Sequence, residues 1–315
     1  MLRITDLVVE FAGTRVVDGV SLHIGPGETL GLVGESGCGK SAAALAILGL
    51  LPPPGRAVAG SAEFESRDLL SLDEHDLRHV RGARIGYVFQ EPGAALNPSF
   101  TIGDQIAEAL VVHGVTAGAD ARERAAGLLD AVRIPDAGRR ADDFPHQLSG
   151  GMRQRAVIAA AIACRPALLI ADEPTTALDA TTQAELLDLL ADMRRDTGMA
   201  MLLISHDLGV VAGVADRVAV MYAGHIVEEG PAARVLQCPA HPYTRGLLAS
   251  LPGAKPGVRL ASIPGTVPEA GAWPPGCRFA PRCADRREGC DTAIPDLRRA
   301  EPGHRARCVL LGDAN

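Results

Sequence analysis

The eight residues Gly34-Glu35-Ser36-Gly37-Cys38-Gly39-Lys40-Ser41 have the types and spacing to bind a chain of phosphates, matching G-x-x-x-x-G-K-[ST] at every fixed position. Gly34, Gly37 and Gly39 lack Cβ, so the backbone can turn with positive φ and aim successive N–H groups at phosphate oxygens. Lys40 would reach the β- and γ-phosphates of a nucleoside triphosphate, Ser41 would place its hydroxyl on Mg²⁺, and the next helix would present its positive N-terminal end. Further along, the apolar run Ala167 to Ala171 stops at Asp172-Glu173, as a buried parallel strand with a functional C-terminal end would. A third set is Cys277, Cys283, Cys290 and Cys308, separated by five, six and seventeen residues. Four thiolates is the ligand count of an iron–sulfur cluster and of tetrahedral zinc, and unligated thiols are a third reading. Spacing alone does not choose among them, although the tight C-x-x-C pairs of zinc ribbons are absent.

The elements that must position these residues can be read from periodicity. Leu7, Val9 and Phe11 alternate, Gly13-Thr14 turns, and Val20, Leu22 and Ile24 alternate again, which predicts an antiparallel pair leading into the strand-like run Thr29 to Val33. Ala42 to Leu51 is rich in helix formers until Pro52-Pro53-Pro54 stops it. Strands are expected near Ala62–Phe64 and from Arg84 to Phe89, with a short helix between them opened by a capping box at Ser71 and Glu74. Ile102 to about Ile134 turns helical, with Ile102, Ile106 and Leu110 on one face and Leu128, Leu129 and Val132 on another. Ser149-Gly150-Gly151 opens another helix that ends before Pro166. Thr181 to Arg194 is amphipathic, with Leu186, Leu187, Leu190 and Met193 inward and Gly198 beyond its end. The strand Met201 to Ile204 leads to Ser205-His206-Asp207, and a hairpin from Arg217 to Glu229 turns at Ala223-Gly224. Two short helices follow, Pro231 to Leu236 and Tyr243 to Leu251. This order implies an α/β fold with a largely parallel sheet. After Pro252 the composition shifts to Pro, Gly, Arg and Cys, so the boundary between residues 1–252 and 253–315 is expected there.

Composition narrows the class. With 315 residues, 47 % of them hydrophobic, the chain can bury a sizeable core. No apolar run approaches the ~20 residues that span a bilayer, and Met1 to Asp6 lacks the apolar core of a signal peptide, so a cytosolic location is expected. The net charge of −7 argues against a general nucleic-acid binder. From Gly253 onward ten Lys/Arg face seven Asp/Glu, leaving twenty-one against thirty-one in an acidic body. Seven cysteines in a cytosolic chain argue for reduced thiols or metal ligation over a disulfide framework.

Taken in order, the motifs resemble the nucleotide-binding subunit of an ATP-binding cassette (ABC) transporter over roughly residues 1 to 250. The resemblance implies a P-loop NTPase (RecA-like) core, an antiparallel β subdomain, an inserted helical subdomain at about 91–165, and a Cys-rich C-terminal extension. It casts Gly34–Ser41 as the Walker A loop and Gln90 as the glutamine that ligates Mg²⁺ and water and senses the membrane partner. Leu148–Arg155 becomes the signature, whose Ser149, Gly150 and Gly151 form a second phosphate-binding helix N-terminus. Asp172 would hold Mg²⁺ through water, Glu173 would be the general base, Asp179 would lie in the D-loop, and His206 would contact the γ-phosphate. Phe11 stands where the family stacks an aromatic on adenine, and it could equally be core. Cys38 reads as inert, although a helix N-terminus can make a thiol reactive.

Phe89-Gln90-Glu91-Pro92, Leu96-Asn97-Pro98, His241-Pro242-Tyr243-Thr244-Arg245 and the cysteine-bearing tail are similar to the oligopeptide/dipeptide importer branch. That likeness implies an ATP-hydrolysing motor subunit on the cytoplasmic face of the inner membrane. Its partners would be a second, paralogous ATP-binding subunit, two permease subunits and an extracytoplasmic substrate-binding protein. It also implies a [4Fe–4S] cluster on Cys277, Cys283, Cys290 and Cys308, with zinc the alternative. Cargo is read from the branch alone, in which nickel chelates, glutathione and sugars also occur. A soluble ABC ATPase would carry a coiled coil, zinc modules or tandem cassettes, none of which appears. A non-hydrolysing regulatory subunit is disfavoured by Glu173, Lys40 and His206. An iron–sulfur redox protein would need electron-transfer partners that the sequence does not advertise.

Overall fold

The structure is a computed structural model that describes residues 1–176, 178–251 and 262–311. They fall in two compact units: residues 1–24, 29–71 and those from Leu203 onward, and residues 25–28 with 72–202. The boundary expected after Pro252 lies outside the described residues.

In the first unit, the strands Leu2–Phe11 and Thr14–Ile24 form an antiparallel pair running from Leu2↔Ile24 to Phe11↔Thr14. Gly55–Phe64 pairs with the other edge of Leu2–Phe11, and Arg67–Asp68 completes a four-stranded sheet. Ile4 and Leu7 are both buried although an odd number of residues apart, because the register shifts between them where Asp6 takes φ 48°.

The strand that feeds the phosphate loop, Thr29–Val33, is buried at all five positions and pairs in parallel with Arg217–Tyr222. Beyond it the expectation of a largely parallel sheet fails. Ala223 and Gly224 both take positive φ and fold the next strand, His225–Pro231, back antiparallel. The Cys-rich tail then contributes His304–Ala306 and Arg298–Glu301, both antiparallel. The sheet is therefore mixed. Composition marked the tail as a change of character but could not show it supplying strands to an existing edge.

The tail strand is fixed by a buried carboxylate. Glu228, fully buried, accepts hydrogen bonds from Ala240 N (2.7 Å) and His241 N (2.9 Å), and its Oε1 lies 2.7 Å from His304 Nε2. Burying a carboxylate is tolerable only when its lone pairs are met in this way.

The second unit carries the parallel strands Ile85–Val88 and Leu168–Asp172, in register from Ile85↔Leu168 to Val88↔Ala171. The strand Ala200–Ser205 begins where Ala200 N bonds Ala167 O (2.9 Å). The helical stretch expected from Ile102 to Ile134 is two helices, Ile102–Val112 and Ala119–Ala131, because Gly114 and Gly118 adopt positive φ between them. Ile102, Ile106 and Leu110 are buried as the spacing predicts. The short helix Glu74–Val80 is capped by Asp73, which accepts from Asp76 N, and the capping box expected at Ser71 and Glu74 does not form. Ser71 instead ends a 3₁₀ turn. Helix Ala180–Thr197 ends at Gly198 in the left-handed conformation, as read. Its buried face is Leu186, Leu189 and Leu190, while Leu187 and Met193 are half-buried. Among the described residues no helix is long and apolar enough to cross a membrane.

Two histidines of the first unit are held neutral. Burial foremost, with Arg278 and Arg307 adding to it, pushes the pKa of His225 down to about 4. Burial foremost pushes His241 down to about 3, and its Nδ1 accepts the Tyr243 N–H (3.0 Å), which only the unprotonated nitrogen can do. Both folded values lie below the ordinary ~6.5, so unfolding takes up protons once the pH falls below that value. Chemical-denaturation midpoints should be level above pH 7 and fall progressively from about pH 6.5 toward pH 4.

Candidate functional site: a phosphate loop and an acidic strand end

The loop 34–39 joins its strand to helix Lys40–Ile47 with Gly37 at φ 79° and Gly39 at φ 106°. There is no room for a side chain at Gly34 or Gly39. A Cβ built on Gly34 would stand 2.1 Å from the Met221 carbonyl oxygen, and one on Gly39 would stand 2.6 Å from that of Val16. Lys40, 4 % exposed, donates through Nζ to the carbonyls of Gly34 (2.7 Å) and Glu35 (3.1 Å), so its ammonium is held over the loop. Ser41 follows in the first turn of the helix. Cys38 is fully buried, and burial foremost pushes its thiol pKa up, away from the reactive thiolate. The Glu35 N–H donates to Tyr243 Oη (2.9 Å), and the Glu35 carboxylate is gripped by both terminal nitrogens of Arg282, at 2.5 and 3.0 Å.

In the second unit, Asp172 ends its strand buried and accepts a hydrogen bond from Tyr87 Oη (2.9 Å). Burial foremost, then the Asp172 charge, pushes the Tyr87 phenol far up, so Tyr87 remains a donor. Glu173 adopts φ 47°, a left-handed conformation costly for a residue with a side chain. Its Oε2 accepts from Gln90 Nε2 (3.2 Å) and Thr176 Oγ1 (3.0 Å). The parallel register brings Gln90, two residues past Ile85–Val88, to the acidic end of Leu168–Asp172. Gln90 and Glu173, 83 positions apart, are thus brought together next to Asp172. Tyr87 and Thr176 were missed by sequence reasoning. Their only signal is position, three residues before Gln90 and three after Glu173.

Ser149 caps helix Gly150–Ile162 by accepting from Met152 N (3.3 Å), and Ser149 and Gly150 are exposed. A Cβ on Gly150 would meet nothing within 4 Å, which leaves this helix start open to a ligand. Asp179 caps helix Ala180–Thr197 by accepting from Thr181 N (3.1 Å) and Thr182 N (3.0 Å). These bonds, that of Thr182 foremost, lower its pKa. Gly151 and Thr182 face each other closely, a Cβ on the glycine standing 3.0 Å from Thr182 Cγ2. His206 is exposed just after its strand. Phe11 is half-buried and lies against Gly55, whose added Cβ would stand 2.6 Å from the ring.

The four tail cysteines line one cavity together with Phe279, Ala280 and Pro295. Backbone N–H groups reach two of the sulfurs, Arg287 N to Cys290 Sγ (3.4 Å) and Leu310 N to Cys308 Sγ (3.5 Å). Burial foremost raises the thiols of Cys277, Cys283 and Cys308.

Comparison with known proteins decides the assignment. Residues 17–176 match the ABC transporter family, and residues 227–290 match the oligopeptide/dipeptide transporter C-terminal region. The chain belongs to the ABC transporter ATP-binding proteins, in the oligopeptide/dipeptide branch. A Brucella melitensis protein named for peptide import and ATP binding is 50 % identical over 306 residues, covering 93 % of this chain and 90 % of its own. A Sinorhizobium fredii protein named for peptide ABC transport is 49 % identical over 315 residues, covering 98 % of this chain and 94 % of its own. The ATP-binding cassette MJ0796, in a dimeric post-hydrolysis state with ADP and phosphate, superposes with TM-score 0.66 at 28 % identity, covering 74 % of this chain and 99 % of that one.

As a member of this ATPase family, the chain hydrolyses ATP in a reaction coupled to transport. ATP and Mg²⁺ are the family's cofactors, and the chain is part of an import complex with permease and ATPase partners. The close approach of Met221 O to Gly34 sets a test of the loop. Gly34→Ala should keep the chain folded while abolishing binding of a fluorescent ATP analogue, because the methyl displaces the turn that aims the N–H groups.

Proposed function

We propose that this chain is the ATP-driven motor subunit of a membrane importer of di- or oligopeptides. The loop Gly34 to Ser41 binds the phosphates through its backbone N–H groups and Lys40, with Ser41, Gln90 and, through water, Asp172 as the Mg²⁺ ligands. Phe11 carries the adenine. Glu173 acts as general base on the attacking water. The observation that carries this reading is the strained Glu173 carboxylate with Gln90 and Thr176 bonded to one oxygen. A carboxylate that is oriented but not buried away can take a proton from water and return it to solvent. In phosphoryl transfer the protein has little else to supply than position and charge. His206 completes the γ-phosphate contacts. Ser149, Gly150 and Gly151, with Asp179, serve the nucleotide of a second ATP-binding subunit, a reading supported by the dimeric state named for MJ0796.

The permease-facing surface is a groove in the helical part, lined by Leu96, Asn97, Phe100, Asp104 and Gln105. Phe100 at its rim and Phe89 beside Gln90 are 54 % and 43 % exposed, unusual for large aromatics on a free surface. Gln90 directly follows the exposed Phe89 and bonds the Glu173 carboxylate, so it can report permease movement to the water-activating group. The subunit would sit peripherally on the cytoplasmic face of the membrane, paired with a paralogue. A substrate-binding protein would deliver peptides from the other side.

The tail cysteines fit an iron–sulfur cluster. They share one cavity, and two of the sulfurs accept backbone N–H bonds of the kind that tune such clusters. Sulfurs around one tetrahedral zinc stand about 3.8 Å apart, as Zn–S bonds of ~2.3 Å require. Among the described residues the one group of three or more ligand atoms within 4.8 Å of one another is Asp73, His75 and Asp76, so no three of these sulfurs gather that tightly. A [4Fe–4S] cluster bound there would serve structure, tying Cys277 and Cys283 to Cys290 and Cys308.

Two measurements test this reading. Glu173→Gln should lower kcat at least about a hundredfold while leaving ATP affinity unchanged, the signature of a lost general base; hydrolysis at the normal rate would overturn the assignment. Protein purified without oxygen should carry iron and acid-labile sulfide in equal amounts. Colourless protein with stoichiometric zinc would overturn the cluster.

A further inference from the structure

The phosphate loop is fastened at Glu35 from two directions. The Glu35 N–H donates to Tyr243 Oη (2.9 Å), and its carboxylate takes a bidentate grip from Arg282. Arg282 is itself fully engaged, with Nε on Pro264 O (2.8 Å) and Nη1 3.3 Å from Tyr222 Oη, and it is 8 % exposed. Both anchors continue into the cysteine cavity. Arg282 is bonded in sequence to Cys283, and Tyr243 packs on Phe279, centroid to centroid 5.3 Å, a residue that lines the cavity. A second arginine of the same segment repeats the pattern. Arg278, next to Cys277, donates to Asp18 and the Ala223 carbonyl under Trp273, whose ring lies 3.5 Å away. Asp18 N in turn bonds Gly224 O (3.0 Å), and Gly224 N bonds Cys38 O inside the loop (2.9 Å). The segment Cys277-Arg278-Phe279-Ala280-Pro281-Arg282-Cys283 therefore sets, between two cavity-lining cysteines, one arginine that grips the nucleotide loop and one that grips the turn bonded to it.

We propose that Arg282 and Tyr243 are positioning residues for the phosphate loop, and that through them the state of the four-cysteine cavity and the binding of ATP are coupled. Neither residue touches the reaction. They fix the first peptide of the loop, whose N–H groups must be aimed before phosphate arrives, and a guanidinium fork holds a carboxylate in one orientation where a single ammonium would let it turn. Coupling of this kind is reciprocal: whatever loosens the cavity weakens ATP binding, and ATP tightens the cavity by the same factor. The inference rests on ATP binding at Gly34–Ser41 and on no particular occupant of the cavity.

The test uses the full-length chain and a fluorescent, non-hydrolysable MgATP analogue. Wild-type binding establishes the nucleotide site itself, and its absence would sink that reading and not the coupling alone. Arg282→Ala should weaken binding about tenfold, Arg282→Lys should fall between, and Arg282→Ala combined with Glu35→Ala should cost no more than either change alone. Kinetically the loss should appear in KM with kcat nearly kept. A folded Arg282→Ala chain with unchanged affinity, or losses that simply add in the double variant, would overturn the proposal. Should Arg282→Ala fail to fold, the wild type still decides. Saturating nucleotide should slow alkylation of Cys277 and Cys283 severalfold, read by mass spectrometry. Identical rates with and without nucleotide would overturn it.

Discussion

Everything this chain can do with a nucleotide depends on a turn with no space for a side chain at its first and last glycines. The strand Thr29–Val33 and the helix Lys40–Ile47 are joined across the Met221 and Val16 carbonyls, which stand 2.1 and 2.6 Å from where Cβ atoms of Gly34 and Gly39 would be. That closeness forces glycine, and glycine permits the positive φ that points N–H groups at phosphate. The rest of the first unit keeps the turn in place. The hairpin at Ala223-Gly224 bonds the Cys38 carbonyl, the buried strands hold Met221, and the tail fastens Glu35. A flexible glycine loop is thus made rigid from outside, which is how a binding site can be preorganised without losing the backbone conformations that only glycine allows.

The second unit solves a different problem, that of placing a carboxylate near water without letting it wander. The strand Leu168–Asp172 is buried to its last residue, and the chain then turns abruptly at Glu173 with φ 47°. Asp172 is directed inward to Tyr87, and Glu173 is turned to Gln90 and Thr176. Two adjacent acids receive opposite environments, one buried and one accessible, as the different roles proposed for them in metal binding and base catalysis require.

Much of this was legible in the sequence because it is local. The phosphate loop is a contiguous pattern, the strands Thr29–Val33 and Leu168–Asp172 are uninterrupted apolar runs, and Gly198 ends its helix as expected. What was not legible depends on partners distant in the chain. Nothing in the composition of the tail says that His304 bonds Glu228 and sets tail strands on the sheet edge, or that Arg282 lies on Glu35, 247 residues away. Short-range errors also have plain causes. Asp73 displaced Ser71 as the cap because it stands one residue before the helix, and two glycines with positive φ split the run from Ile102. The motif His241-Pro242-Tyr243 could be matched to a family but not explained until its histidine proved to be a buried cap and its tyrosine a partner of Glu35.

In the function proposed above, the exposed helix start at Ser149 and Gly150 serves the nucleotide of another ATP-binding subunit, so the phosphate loop would be half of a site. The most direct measurement of that claim is ATP turnover per chain as the second subunit is titrated in, with nucleotide binding followed in parallel. Turnover should be low for the chain alone and rise steeply with the partner. Ser149→Arg in this chain should depress that stimulated turnover while its own phosphate loop still binds ATP. A turnover per chain that is constant from micromolar to nanomolar concentration and indifferent to the partner would contradict the account.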